Sequence, residues 1–211
     1  MQNQTQTQKS IWNVPNILSL LRVVMVPGFV AVLLYTAYDS VVGCLVGGAL
    51  FGLTAFTDML DGKIARRCGL VTDFGKFIDP LADKFMVFAA LAALIYRYRV
   101  VAEGYVTTIF VWVAVVVMLR ELGVTSLRLV AAGKSGIVIA ASWWGKIKTV
   151  TQILSIELLI LEPLFGFAVF TEYHVAAYVA MAAMLITTVG SGIDYLRAYW
   201  PLLSGRPAPE K

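Results

Sequence analysis

Four aspartates fall within one short stretch of the chain. It reads Thr57-Asp58-Met59-Leu60-Asp61-Gly62-Lys63-Ile64-Ala65-Arg66, then eight residues, then Gly75-Lys76-Phe77-Ile78-Asp79-Pro80-Leu81-Ala82-Asp83. Asp58 and Asp61 are three apart and Asp79 and Asp83 are four apart. On helices each pair shares a face. Two such pairs brought together make an all-oxygen seat for one or two divalent cations, and Mg²⁺ or Mn²⁺ suits it. Without metal, carboxylates this close repel and some take up protons. Two bound cations cancel that charge and form a clamp for displacement at phosphorus. Gly62 directly after Asp61, and Gly75 ahead of Asp79, leave room for a ligand to approach the backbone. Arg66, four residues after Gly62, is placed to hold a phosphate in a bidentate contact.

The elements that must position these groups are membrane helices. Of 211 residues, 59% are hydrophobic and only 14% charged, well below the charge of a soluble domain. The apolar residues come in runs long enough to cross a bilayer. Carboxylates held at a membrane are costly and mark a working site. The pattern predicts an all-α integral membrane protein with six spans at about 15–36, 41–66, 76–98, 105–130, 146–167 and 175–200. Trp12 is expected to anchor the first span at the interface, and Pro27 to kink it. The second span then ends on Asp58 and Asp61 and the third begins on Asp79 and Asp83. As antiparallel neighbours joined by a short loop, they would bring all four together.

Lysine and arginine set the orientation. With both termini inside, one side carries Lys9, Lys63, Arg66, Arg67, Lys76, Arg128, Lys134, Lys146, Lys148, Arg197, Arg206 and Lys211, and the loops of the other only Arg97 and Arg99. The aspartates are therefore expected at the cytoplasmic ends of helices 2 and 3, on the inner rim of the plasma membrane. The chain reads as one membrane domain, residues 11–202, between a polar segment, 1–10, and a tail, 203–211, both expected to be disordered. Arg22 interrupts the first apolar run, which therefore reads as a retained span rather than a secretory signal. Cys44 and Cys68 do not suggest a disulfide framework. His174 has no companions for a zinc site and reads as an interfacial loop residue. No basic, aromatic-interleaved patch points to nucleic acid.

The pattern Asp58-x2-Asp61-Gly62-x2-Ala65-Arg66-x8-Gly75-x3-Asp79-x3-Asp83 resembles, at every position, the signature of the CDP-alcohol phosphatidyltransferase family. The resemblance implies six transmembrane helices, a divalent-metal site and a CDP-linked lipid donor. It implies that Asp58, Asp61 and Asp79 bind metal, and that Asp83 both binds metal and acts as general base on the acceptor hydroxyl. It also implies that Gly62, Ala65, Arg66 and Gly75 contact the cytidine diphosphate part of CDP-diacylglycerol, and that the protein is a homodimer. Four further stretches, Asn13–Arg22, Asp79–Lys84, Arg120–Arg128 and Ser142–Thr149, are similar to the branch whose acceptor is sn-glycerol 3-phosphate and whose products are phosphatidylglycerol phosphate and CMP.

A phosphorylated acceptor needs cations apart from the metals. Arg120 and Arg128, eight residues apart, lie roughly 80° apart around a helix and can line one cavity. Lys146 and Lys148 open the fifth span in the same region. These four are the candidates to grip the glycerol phosphate. The competing role is anchoring on lipid headgroups, which weighs more for the two lysines than for Arg120, buried in an apolar run. Asn16 and Arg22 are placed to lean over the nucleotide from the first span. Lys84 either balances the carboxylates or snorkels to the interface. Glu121 could orient Arg120, although adjacent helical residues diverge. Glu157 falls mid-span with no cation at its depth, so it is expected protonated or facing another helix. The stripe Gly43, Gly47, Gly48 and Gly52 allows close helix approach, and packing within the chain is preferred over a dimer seam.

Three other readings compete. Another acceptor, such as inositol phosphate, serine or a second phosphatidylglycerol, is compatible with the signature, which reads only the donor. The depth of Arg120 argues against serine, which carries no phosphate. An ion or proton transporter would also hold intramembrane carboxylates, but no internal repeat of the transporter kind is visible. A divalent-cation sensor would have no use for the base Asp83.

Overall fold

The computed structural model describes residues 14–68, 73–102, 104–135, 143–166 and 173–203. The described residues form six α-helices and one 3₁₀ turn, with no strand: α1 Val14–Tyr35, α2 Val41–Cys68, α3 Asp73–Val101, α4 Gly104–Ser135, α5 Trp143–Leu161, the turn Glu162–Phe165, and α6 Val175–Leu203. The expected segment 1–10 lies outside the described residues, as does the expected tail 203–211 except for Leu203, which ends α6. Among the described residues, three stretches are long and apolar enough to cross a membrane: Asn16–Tyr35, Gly104–Ala131 and Val175–Trp200. The shortest has 20 residues, about 30 Å of helix, which matches the hydrocarbon core. Only 28%, 33% and 39% of their respective windows are buried within the chain, so most of their apolar surface faces outward. In α2 the apolar character covers Val41–Thr57 and stops where the aspartates begin.

Helix α1 packs against both α2 and α3, and α6 against both α4 and α5; α2–α5, α3–α4 and α3–α5 contacts join the two groups. The core between them is apolar, with Phe29, Leu33, Phe51, Met86, Leu91, Leu94, Phe110, Ile156 and Leu159 all buried. Phe29 and Phe51 meet edge to face at 5.6 Å, a favourable aromatic geometry. The glycine stripe of α2 serves this packing. A Cβ at Gly43 would run into Thr36 Oγ1, and one at Gly47 or Gly48 would stand 2.9 Å from Leu33 Cδ2 or 2.7 Å from Glu157 Oε1. The stripe thus receives the end of α1 on one side and α5 on the other. Glu157 faces another helix, its carboxylate lying over Gly48 and Gly52.

The helix starts and stops have local causes. Ser40 caps α2: its Oγ accepts from the Gly43 N–H at 3.1 Å and its carbonyl from the Cys44 N–H at 2.8 Å. The fifth helix was expected to reach residue 167 but ends at Leu161. Pro163 cannot continue the α-helical ladder. The chain tightens into the 3₁₀ turn, which Gly166 closes at φ 63° in the left-handed region that glycine tolerates.

Sequence reasoning missed a buried polar knot at one end of the bundle. Glu162 is fully buried. Its carboxylate accepts from the Tyr98 hydroxyl, from the Tyr38 hydroxyl at 3.1 Å and from the Ala177 N–H at 3.0 Å. The last bond satisfies a donor in the first turn of α6, where a negative charge also suits the helix dipole. His174 Nδ1 lies 3.6 Å from the same carboxylate, so His174 is buried in this knot rather than interfacial. Arg97 was read as a loop cation, but it lies in α3 and is buried. It donates to the carbonyls of Ala37 at 3.1 Å and Tyr38 at 2.7 Å and to Cys44 Sγ at 3.2 Å. Burial, then the Glu162 charge, push the Tyr38 phenol above its ordinary range.

Candidate active site

The signature lies on two consecutive helices. Helix α2 runs unbroken through Asp58, Asp61, Gly62, Ala65 and Arg66, and α3 through Gly75, Asp79 and Asp83. Each aspartate pair therefore has the helical spacing that puts both members on one face. The side chains of Asp58, Asp61, Gly62, Ala65, Arg66, Gly75 and Asp79 lie outside the described ones. Cys68 and Asp73, which end α2 and begin α3, are joined by a chain that spans no more than about 19 Å fully extended. Covalent connection alone thus keeps the two helix ends together.

The described part of the site begins at Asp83, which is partly buried and engaged in contacts. Facing it is a cluster built by α4 and α5. Glu121 is buried on α4, and its Oε1 accepts from Arg120 Nη1 at 3.0 Å and from the buried Lys148 Nζ of α5. Adjacent residues diverge on a helix, yet the long guanidinium of Arg120 folds back to its neighbour. Helix α3 packs against both α4 and α5, and the charges of Asp83 and Lys84 are felt at Lys148 and Glu121 respectively, which places the third turn of α3 near this cluster. Lys84 Nζ also reaches the Pro80 carbonyl at 3.4 Å. Lys148 is only 4% exposed, which removes headgroup anchoring as its role. Lys146 is exposed.

Arg128 is exposed on α4 and donates to the Tyr195 hydroxyl of α6. Its Cζ lies 4.9 Å from the Tyr195 ring centroid, and Arg120 Cζ lies 5.5 Å from the same centroid. The structure thus brings Arg120, Arg128 and Lys148 of the four expected cations into one linked group. Asn16 and Arg22 are buried on α1, each with contacts of its own. Glu121, read from the sequence as able to orient Arg120, does pair with it. Tyr195 was not anticipated and had no sequence signal, because its link to Arg128 spans 67 residues of sequence.

Comparison with known proteins gives a consistent result. Residues 12–190 match the family model described as CDP-alcohol phosphatidyltransferase. The chain is 42% identical over 186 residues to a probable phosphatidylglycerophosphate synthase of Mycobacterium tuberculosis, covering 88% of this chain and 81% of that one. It is 38% identical over 203 residues to the CDP-diacylglycerol–glycerol-3-phosphate 3-phosphatidyltransferase of Bacillus subtilis, covering 92% and 98%. It is 34% identical over 197 residues to the protein of the same name from Pseudomonas fluorescens, covering 90% and 92%.

Proposed function

The chain belongs to the CDP-alcohol phosphatidyltransferase family, and from that premise we propose that it transfers the phosphatidyl group of CDP-diacylglycerol to sn-glycerol 3-phosphate. The products are phosphatidylglycerol phosphate and CMP. Family and apolar helices together make it an integral membrane protein. The observation that carries the acceptor assignment is the Arg120–Glu121–Lys148 cluster, with Glu121 and Lys148 buried and Arg120 largely so, within electrostatic reach of Asp83. Cations sheltered beside the general base suit an acceptor that carries its own phosphate.

The donor set on α2 and α3, all carboxylate on helical backbone at spacings of three and four, fits divalent cations. Asp58, Asp61, Asp79 and Asp83 would hold them, two ions of Mg²⁺ or Mn²⁺ matching four carboxylates. Bound there, the metal supplies positive charge that neutralises the diphosphate and stabilises CMP as leaving group. Asp83 accepts the proton of the attacking glycerol hydroxyl. The new bond joins that oxygen to the phosphorus of the phosphatidyl group, as the bond from that phosphorus to CMP breaks. Gly62, Ala65, Arg66 and Gly75, with Asn16 from α1, contact the cytidine diphosphate. Arg120, Arg128 and Lys148, with Lys146 at the rim, hold the acceptor phosphate, so that positioning and electrostatics carry most of the rate.

In this reading all six helices span the plasma membrane of a homodimer, with the site and both termini on the cytoplasmic side. The distribution of lysine and arginine supports that orientation. The test supplies purified protein with labelled CDP-diacylglycerol, Mg²⁺ or Mn²⁺, and one acceptor at a time, and measures CMP release with and without chelator. Release that depends on glycerol 3-phosphate and on metal is expected. Release with inositol phosphate alone would move the chain to a sister activity, and none with any acceptor would end the enzymatic reading.

A further inference from the structure

The geometry points to Tyr195 as the positioning residue that holds Arg120 and Arg128 together as one clamp selective for a phosphorylated acceptor. This rests on the reading that these arginines receive the acceptor phosphate, and adds the part that sets their geometry. Tyr195 is 3% exposed and stacks on Tyr199 at 6.3 Å with 20° between the rings. Both tyrosines belong to a buried cluster with Val124 and Ala131 of α4, so the ring is locked between two helices. One ring faces two guanidiniums, with Arg120 Cζ at 5.5 Å and Arg128 Cζ at 4.9 Å from its centroid. The two charges can be no farther apart than the sum of those distances. Without the ring they repel and their long side chains spread over many rotamers. The electron-rich face attracts both, and the hydroxyl fixes Arg128 by accepting its hydrogen bond.

Arg120 also has a donor to spare. The Nε of Arg120 is buried and has no hydrogen-bond partner, although Nη1 is bound to Glu121 at 3.0 Å. A buried guanidinium donor left without an acceptor is costly. A phosphate oxygen entering the cluster supplies that acceptor. The arginine stem runs alongside α6 at Gly192, one turn before Tyr195, where an added Cβ would stand at an ordinary 3.5 Å from Arg120 Cγ. Tyr195 itself does not meet the substrate. It lowers the ordering cost of two cations that do.

The experiment compares Tyr195→Phe, Tyr195→Trp and Tyr195→Leu with the unaltered protein in detergent. CMP release is measured against glycerol 3-phosphate at saturating CDP-diacylglycerol, and against the donor at saturating acceptor. Phe keeps the ring and loses the hydroxyl, so the acceptor KM should rise about 3- to 10-fold. Leu loses both, and the rise should reach roughly 30- to 100-fold. In each case the donor KM and kcat should change less than about threefold. Trp, which restores an aromatic face, should recover part of the loss seen with Leu. Equal changes in both KM values, or a Leu variant as good as Phe, would overturn the proposal and leave Tyr195 a packing residue. If Leu does not yield folded protein, Phe decides alone, since an unchanged acceptor KM there removes the hydroxyl's role and with it the clamp. An unaltered protein that never uses glycerol 3-phosphate would instead refute the underlying reading, so the two failures are distinguishable.

Discussion

Replacing Lys148 with methionine separates two things the Lys148–Glu121 pair does. Methionine keeps the stem volume and removes the ammonium. If Lys148 donates to the acceptor phosphate, its loss removes one charge-assisted hydrogen bond, about 1.5–3 kcal/mol, so kcat/KM for glycerol 3-phosphate should fall roughly 10- to 150-fold. The donor KM should not move. Removing one partner of a buried ion pair also costs stability, commonly about 3–5 kcal/mol when the survivor has no other partner. Here Arg120 Nη1 remains 3.0 Å from Glu121 Oε1, so the loss should fall at or below the bottom of that range. Adding Glu121→Gln neutralises the survivor and should return most of the lost unfolding midpoint. It should not return acceptor affinity, because the ammonium is still missing. The assay is CMP release against each substrate, paired with thermal unfolding followed by tryptophan fluorescence. If the double variant regains the acceptor KM together with its stability, Lys148 acts only through the fold, and the case for it as a phosphate ligand is lost.

Other outcomes follow from the same structure. Asp83→Asn should lower CMP release about 10²- to 10⁴-fold, the usual worth of a general base, with the unfolding midpoint unchanged; turnover near the unaltered rate would remove Asp83 from the chemistry. Gly48→Ala places a methyl 2.7 Å from Glu157 Oε1 and 3.0 Å from Leu161 Cδ2, and should cost about 1–3 kcal/mol of stability. Gly28→Ala meets nothing within 4 Å and should be neutral or stabilise by about 0.5–1 kcal/mol through helix propensity; thermal unfolding of the pair checks the contrast. Glu162→Ala strips the knot of its shared acceptor and should lower stability by about 3 kcal/mol or more. Glu162→Gln, which keeps one acceptor oxygen, should lose markedly less, and equal loss in the two would argue that packing rather than hydrogen bonding matters there.

What the sequence made legible was whatever is encoded locally. Apolar runs placed all six helices to within a few residues, and the pattern of aspartates, glycines, alanine and arginine on α2 and α3 pointed to the family whose model the chain matches. The exception in helix length was α5. Its apolar run continues past Leu161, but Pro163 and the left-handed Gly166 end the helix regardless of hydropathy. Charge was the harder matter. Arg97 counts as a loop cation in a linear tally, yet α3 carries it inward beneath the α1–α2 turn. Lys148 looks like a basic residue at a helix start, and only the approach of α4 turns it toward Glu121. Glu162, His174 and Tyr195 have no periodic signal, because their partners lie on other elements. Such groups become readable only once the helices are set side by side.

Those long-range contacts bear on the chemistry through register. Helix α3 carries Asp83 toward one end and Tyr98 toward the other, 15 residues later; α5 carries Lys148, with Glu162 14 residues on in its 3₁₀ extension. At 1.5 Å per residue those intervals are about 22 and 21 Å. Helices α3 and α5 touch, and at one end the Tyr98 hydroxyl bonds both Glu162 and the Leu159 carbonyl, the latter at 3.3 Å. That clasp fixes how far α3 can slide along α5. Because the two intervals match, fixing Tyr98 against Glu162 sets Asp83 level with Lys148 at the other end, where the one acts on the other. A slip of one turn, about 5.4 Å, would at once break the clasp and move Asp83 away from Lys148. The polar knot at the far end of the bundle is therefore not independent of the Arg120–Glu121–Lys148 cluster, since it holds the register in which Asp83, the proposed base, lies level with Lys148.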